Sequence, residues 1–174
     1  MDKTSTNPRT ISLIGMPGAG KSTVGVILAK LTGLRFCVTD LDIQVREHAT
    51  LQAILEQHGY RHLRAVEEQV LLDIDLHDAV ISTGGSVVYS EAVMDRLHRA
   101  GPVIYLDADL ATLERRVAAA PLRGIASDAS RSFAEVYAER TPLYRRHAGL
   151  IVDATAGCAE QIAELIISRL QPCQ

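Results

Sequence analysis

Apolar residues fall into five short runs separated by longer stretches with helical spacing, and the two kinds alternate from one end of the chain to the other. The runs at residues 10–14, 35–39, 79–82, 103–106 and 150–152 are short and almost uniformly apolar, which suits strands buried on both faces. Between them the spacing predicts helices at about 21–31, 50–58, 62–76, 90–99, 110–119, 130–147 and 158–170. Strands alternating with helices predict an α/β fold, a five-stranded parallel sheet sandwiched by helices. No repeat, low-complexity segment or linker divides the chain, so residues 10–172 are expected to form one domain behind a disordered segment at 1–9. The stretch at about 118–128 breaks the helical pattern with Pro121 and Gly124, is rich in small residues and carries Arg123, which reads as a mobile lid.

Composition narrows the classes. The 174 residues are 47% hydrophobic and 22% charged, ordinary for a globular domain with a real core. A net charge of −3 argues against a partner bound through a basic surface, so no nucleic acid is expected. Cys37, Cys158 and Cys173 form no C-x-x-C pair, which leaves no disulfide framework or zinc site and suits reduced thiols in a cytoplasmic protein. The polar N-terminus lacks the apolar stretch of a secretion signal, and no apolar run approaches the ~18 residues of a membrane span. The six histidines show no metal-ligand clustering.

The chemistry begins where the first strand meets the first helix. Gly15-Met16-Pro17-Gly18-Ala19-Gly20-Lys21-Ser22-Thr23 fits G-x-x-x-x-G-K-[ST] at every fixed position. Its glycines let backbone N–H groups converge on phosphate oxygens, Lys21 reaches the β- and γ-phosphates, and Ser22 offers a hydroxyl to Mg²⁺. The positive end of the following helix adds attraction for anions. Gly18, Ala19, Gly20, Lys21, Ser22 and Thr23 are therefore the residues expected to bind a nucleoside triphosphate.

Ligands of an open parallel sheet sit at the carboxyl ends of its strands. Asp40 and Asp42 follow the second strand, and in an extended segment two residues apart they would share a face. One carboxylate near Mg²⁺ and one near an acceptor hydroxyl suits phosphoryl transfer; the competing reading is that both start a helix. Gly84 and Gly85 follow the third strand as either a tight turn or a point of close substrate approach. Asp107, ending the fourth strand, rivals Asp40 as a metal ligand, but Asp107-Ala108-Asp109 reads better as the N-terminal cap of the helix at 110–119.

Taken together these motifs resemble the shikimate kinases, within the nucleoside-monophosphate-kinase-like group of P-loop folds, over nearly the whole chain. Asp40-Leu41-Asp42 is similar to that family's Asp-x-Asp, whose first carboxylate holds Mg²⁺ through water and whose second contacts the shikimate hydroxyls. Leu63-Arg64-Ala65-Val66-Glu67 resembles its Phe-Arg-x-x-Glu, and Thr83-Gly84-Gly85-Ser86 its Thr-Gly-Gly-Gly substrate loop. Glu139-Arg140-Thr141-Pro142-Leu143-Tyr144 matches a helix motif with a second carboxylate-binding arginine. On the residues alone, Arg64 and Arg140 would each be a surface residue of a helix; the resemblance makes them a pair of planar partners for a carboxylate, which guanidinium groups match well. It also implies that Arg116 stacks on adenine and that Arg123 reaches the transferring phosphoryl group.

Four positions depart from the family pattern. The lid offers Arg123-Gly124-Ile125 where Arg-Pro-Leu-Leu is usual, Tyr60 stands for Glu, Leu63 for Phe, and Ser86 for the third glycine. The resemblance implies ATP-dependent transfer to the 3-hydroxyl of shikimate, with Mg²⁺, by a monomer whose catalytic residues are Lys21, Asp42 and Arg123. The alternatives are a kinase of another small hydroxy acid or sugar acid and a non-catalytic, nucleotide-dependent sensor on the same fold.

Overall fold

The computed structural model describes residues 10–120 and 125–170. The expected disordered segment at 1–9, Arg123 and the middle of the expected lid lie outside the described residues. Five parallel strands, β1 (Ile11–Ile14), β2 (Arg35–Val38), β3 (Ala79–Ser82), β4 (Val103–Asp107) and β5 (Leu150–Asp153), form one sheet in the order β2-β3-β1-β4-β5. Each lies within a residue of its predicted span at either end. All four side chains of β1 and of β3 are buried, as required of central strands covered on both faces.

The helices are α1 (Lys21–Thr32), α2 (Thr39–Glu47), α3 (Leu51–Asp73), α4 (Glu91–Ala100), α5 (Leu110–Ala119), α6 (Phe133–His147) and α7 (Ala159–Leu170), with one 3₁₀ turn at Val87–Tyr89. The two helices expected at 50–58 and 62–76 form α3, which runs through a break at Gly59, where φ is 78° and ψ 171°. Glycine tolerates that conformation without a side-chain clash. Residues 74–76 fall outside the helix.

The helix α2 is a correction to the sequence reading. Leu41, Ile43 and Val45 alternate as a strand would, yet the segment is helical and only Ile43 of the three is buried. Asp40 and Asp42 occupy its first turn, where carboxylates are favoured by the helix dipole. Residues two apart on a helix are about 200° apart around its axis, so the two carboxylates do not share a face.

The core runs from β1, β3 and β4 outward to α1, α4 and α7. Gly25 of α1 rests on Phe36 of β2; a Cβ there would stand 2.7 Å from the ring. A smaller cluster built on Ile43, Ile54, Leu63, Val66 and Val70 joins α2 to α3, with Ala126 packed into it. The helix α6 opens on a reciprocal cap: Ser132 Oγ accepts from the Glu135 backbone N–H at 3.2 Å, and Glu135 Oε2 accepts from the Ser132 N–H at 2.7 Å. Replacing Ser132 with alanine removes one of these bonds and is expected to lower the unfolding free energy by about 1 kcal/mol in a urea titration.

Candidate active site

The loop after β1 carries the geometry that its motif requires. Gly15, Gly18 and Gly20 have φ of 146°, 85° and 90°. At Gly15 a Cβ would lie 2.8 Å from the Leu106 carbonyl oxygen, so the strand leaves the sheet by a path open to glycine. Gly20, left-handed, caps α1 and aims its first N–H groups into the loop. Lys21 is buried, and its ammonium donates to the carbonyls of Gly15 at 2.7 Å and Met16 at 3.0 Å. The hydroxyl of Ser22 lies 3.1 Å from that of Ser82, at the end of β3.

A cavity of about 700 Å³ opens over this loop and gathers most of the expected site. Gly18, Ala19, Gly20, Lys21, Ser22 and Thr23 line it, together with Asp40, Gly84, Gly85, Arg116 and Arg140. Arg116 is held by the Gly18 carbonyl at 3.3 Å and the Ala154 carbonyl at 3.1 Å, which places it between the loop and the turn after β5. Asp40 faces the cavity and Asp42 does not: the Asp42 carboxylate turns back to β2 and accepts from the Cys37 thiol at 3.3 Å. Burial and that carboxylate push the Cys37 thiol up to about 12, so it stays protonated and donating.

The residues present fit a triphosphate with a divalent cation: a cluster of convergent backbone amides, a buried ammonium, a hydroxyl at the head of α1 and one carboxylate across the same space. Asp107, the rival metal ligand, is engaged elsewhere. It accepts from the Tyr105 hydroxyl at 2.8 Å and pairs with Arg145 at 2.5 Å, while Asp109 caps α5 by accepting from the Thr112 N–H at 2.9 Å.

The acceptor side is built from α3, the glycine loop after β3, and α6. Arg140 is 1% exposed, unlike the surface arginine that the residues alone suggest. Its Nη2 donates to the Ala126 carbonyl at 2.8 Å, and Arg64 Nε donates to the same oxygen at 2.9 Å. Two arginines 76 positions apart in the chain thus converge on one acceptor atom. Arg64 lines not the large cavity but an adjoining one of about 210 Å³. The Tyr144 hydroxyl donates to the Gly85 carbonyl at 2.5 Å and fixes the glycine loop against α6.

Glu67 belongs to this site, and sequence reasoning left it without a role although its motif had been noticed. It is 4% exposed and lines both cavities, and its Oε1 has no hydrogen-bond partner among the described residues. Burial raises its carboxyl to about 7, against a lowering by the Ser86 hydroxyl that donates to Oε2; Asp40 raises it further, while Arg140 and Lys21 lower it. Ser86, the departure from the third glycine, therefore supplies a hydrogen bond to a carboxylate removed from water. A Cβ at Gly84 would run into the Glu67 carboxyl, which would have to shift to admit it.

A phosphate loop at the end of a central strand, facing a buried arginine across one cavity, defines a small-molecule kinase of the nucleoside-monophosphate-kinase-like P-loop type. The family profile described as shikimate kinase matches residues 17–171, and the chain belongs to that family. The shikimate kinase 2 of Salmonella paratyphi B is 35% identical over 159 residues, 88% of each chain. Among solved structures, the shikimate kinase of Acinetobacter baumannii in complex with shikimate superposes with a TM-score of 0.82 at 29% identity, covering 96% of this chain and 97% of that one. The Aquifex aeolicus shikimate kinase gives 0.77 at 27% identity over 92% and 95%. Among the described residues no helix is long and apolar enough to cross a membrane, and no cluster of three metal-ligating side chains occurs.

Two substitutions test the acceptor wall. Gly84→Ala is expected to destabilise the protein by about 1–3 kcal/mol, since the buried Glu67 carboxyl must move off its Ser86 hydrogen bond to make room; equilibrium denaturation reads it. The second concerns pH. Between the ordinary carboxyl value of 4.5 and about 7 the folded chain keeps a proton on Glu67 that the unfolded chain has released. Stability of the ligand-free protein therefore falls as pH rises through that window, and Glu67→Gln, which cannot ionise, flattens the decline in denaturation curves taken at half-unit steps.

Proposed function

We propose that this protein transfers the γ-phosphoryl group of ATP to the 3-hydroxyl of shikimate, giving shikimate 3-phosphate and ADP. The observation that carries the reading is that one cavity joins the phosphate loop with Lys21 to the buried guanidinium of Arg140, so that a triphosphate and an acid can lie end to end. A relative solved with shikimate bound, superposing over 96% of this chain, supports the choice of acid.

In this reading the loop amides and Lys21 hold the β- and γ-phosphates, and Lys21 exchanges its two backbone carbonyls for phosphate oxygens. Magnesium, held through Ser22 and Asp40, would neutralise charge on the β- and γ-oxygens. Arg64 and Arg140 take the acid's carboxylate, Gly84 and Gly85 let the ring approach, and Arg116 stacks on adenine. The hydroxyl oxygen of the acid attacks the γ-phosphorus as its bond to the bridging oxygen of ADP breaks, and the hydroxyl proton passes to Asp42. That role requires the Asp42 side chain to leave Cys37 and swing toward the cavity when the acceptor binds. Arg123 is assigned to the transferring phosphoryl group, where such a residue contributes a large share of the rate. The net charge of −3 argues against nucleic acid as a partner, and the three cysteines without a metal-binding pattern support a cytoplasmic location; a monomer that acts on small molecules away from membranes completes the proposal.

A coupled ADP-release assay tests the proposal, with shikimate set beside a panel of other hydroxy acids and sugar acids. Shikimate is expected to be the preferred acceptor, and Asp42→Asn to lower kcat by about 100-fold or more with a smaller effect on KM for ATP. Turnover of another acid with shikimate inert would move the activity to that acid, and no turnover with any acceptor would favour the sensor.

A further inference from the structure

The ring of Tyr89 lies against both arginines of the acceptor site. The guanidinium carbon of Arg64 is 4.1 Å from its centroid and that of Arg140 is 5.4 Å away. Arg140 Nε also donates to the Tyr89 hydroxyl oxygen at 3.3 Å, and the hydroxyl donates onward to Glu139 Oε1 at 2.5 Å. Glu139 is held in turn by an ion pair with Arg131. Arg64 also lies over the ring of Tyr60, its guanidinium carbon 5.0 Å from that centroid. Tyr89 ends the 3₁₀ turn that follows Ser86, so one side chain links the glycine loop to a residue of α3 and a residue of α6.

The two guanidinium groups share one acceptor oxygen and repel each other there, in a place where Arg140 has almost no contact with water. The buried Glu67 carboxyl beside Arg140 is pushed up to about 7 by burial, so it neutralises that cation less than a solvated carboxylate would. An aromatic face offers negative potential to cations without a charge of its own, and its effect grows as water is removed. A neutral partner has a second advantage over a carboxylate: it does not neutralise the arginines as anion receptors, and it leaves the edge of each fork free to donate.

We propose that Tyr89 is the positioning residue that gathers Arg64 and Arg140 into a single two-guanidinium receptor for the acceptor's carboxylate, with Tyr60 as an outer wall on Arg64. This rests on the reading that those arginines bind the acid. The Ala126 carbonyl marks the point at which a carboxylate oxygen would be received. The ring face sets the plane of Arg64, and the hydroxyl sets the direction of the Arg140 fork. Tyr60, where the family pattern has Glu, adds a second ring in place of a carboxylate that would pair with Arg64 and compete with the ligand.

The test compares shikimate with its methyl ester, which keeps the hydroxyls and loses the negative charge, in wild-type enzyme, Tyr89→Leu and Tyr89→Phe. Wild type is expected to prefer the acid. Tyr89→Leu should raise KM for shikimate about 10-fold or more, leave KM for the ester and for ATP near wild type, and so lose most of the preference. Tyr89→Phe should recover most of it, because the ring remains and only the hydroxyl bonds are gone. Unchanged ATP kinetics report that the variants are folded. An equal loss on acid and ester in Tyr89→Leu, or no loss on either, overturns the role of Tyr89 while leaving the function standing. If wild type itself does not distinguish the acid from the ester, the assignment of the arginines to the carboxylate fails first, and this proposal falls with it.

Discussion

The central placement of β1, hydrogen-bonded to β3 on one side and β4 on the other, is the constraint on which the rest of the molecule depends. A strand flanked on both edges has no freedom in register, and with both faces covered it has none in orientation either. The chain must therefore leave the sheet at Gly15 in one direction, over the Leu106 carbonyl, and the phosphate loop inherits its position from the sheet rather than from its own residues. The Thr83 N–H and hydroxyl both bond to the Leu13 carbonyl, so the glycine loop after β3 is registered to the same strand. Donor and acceptor loops thus hang from adjacent strands, and their separation is set by sheet geometry.

The two halves of the cavity solve opposite electrostatic problems. The donor half must hold dense negative charge and does so with amide dipoles, a helix terminus and one ammonium that its own loop carbonyls solvate until a ligand arrives. The acceptor side holds Arg140 almost out of water and Arg64 half-buried, and neither pairs with a carboxylate among the described residues. It uses neutral groups, the Ala126 carbonyl and the tyrosine rings, and leaves its buried carboxylate partly protonated. Ion pairing is displaced outward to Arg131 and Glu139, where it orients Tyr89 instead of the guanidinium groups.

The sheet was legible because each strand is a short apolar run between Gly, Pro or polar breaks, and the donor loop because its motif carries its own mechanism. The expected elements include no helix at 39–47, and they set Asp40 and Asp42 in an extended segment with a helix start as the competing reading; Leu41 and Val45 face solvent, so the segment shows no apolar helical stripe. Helix formation there answers to acidic residues in the first turn and to the single buried Ile43. That one error changed the geometry of Asp40 and Asp42. Helical spacing puts Arg140 on the face of α6 that buries Val136 and Tyr144, four residues to either side, so its burial was open to reading; the partner that receives it, the Ala126 carbonyl, comes from a distant part of the chain. Ser86 and Tyr60 looked like defects in a pattern, and in three dimensions each touches a charged group of the acceptor wall. Nothing in the local sequence joins residue 60 or 89 to residue 140, so the aromatic contacts emerge only from the packing.

The carbonyl of Ala126 bonded to both arginines makes the chain its own occupant of the receptor. On the reading that these arginines take the acid, a carboxylate oxygen arriving at this point competes with a main-chain oxygen that already satisfies two donors, and displacing it gains little beyond charge. Small anions with nothing else to offer face a threshold, whereas an acid whose hydroxyls also find partners along the glycine loop clears it. On that reading, discrimination rests less on the fit of the carboxylate than on a cost that the protein's own backbone imposes at the entrance, the same for every acid and offset in those with a second handhold.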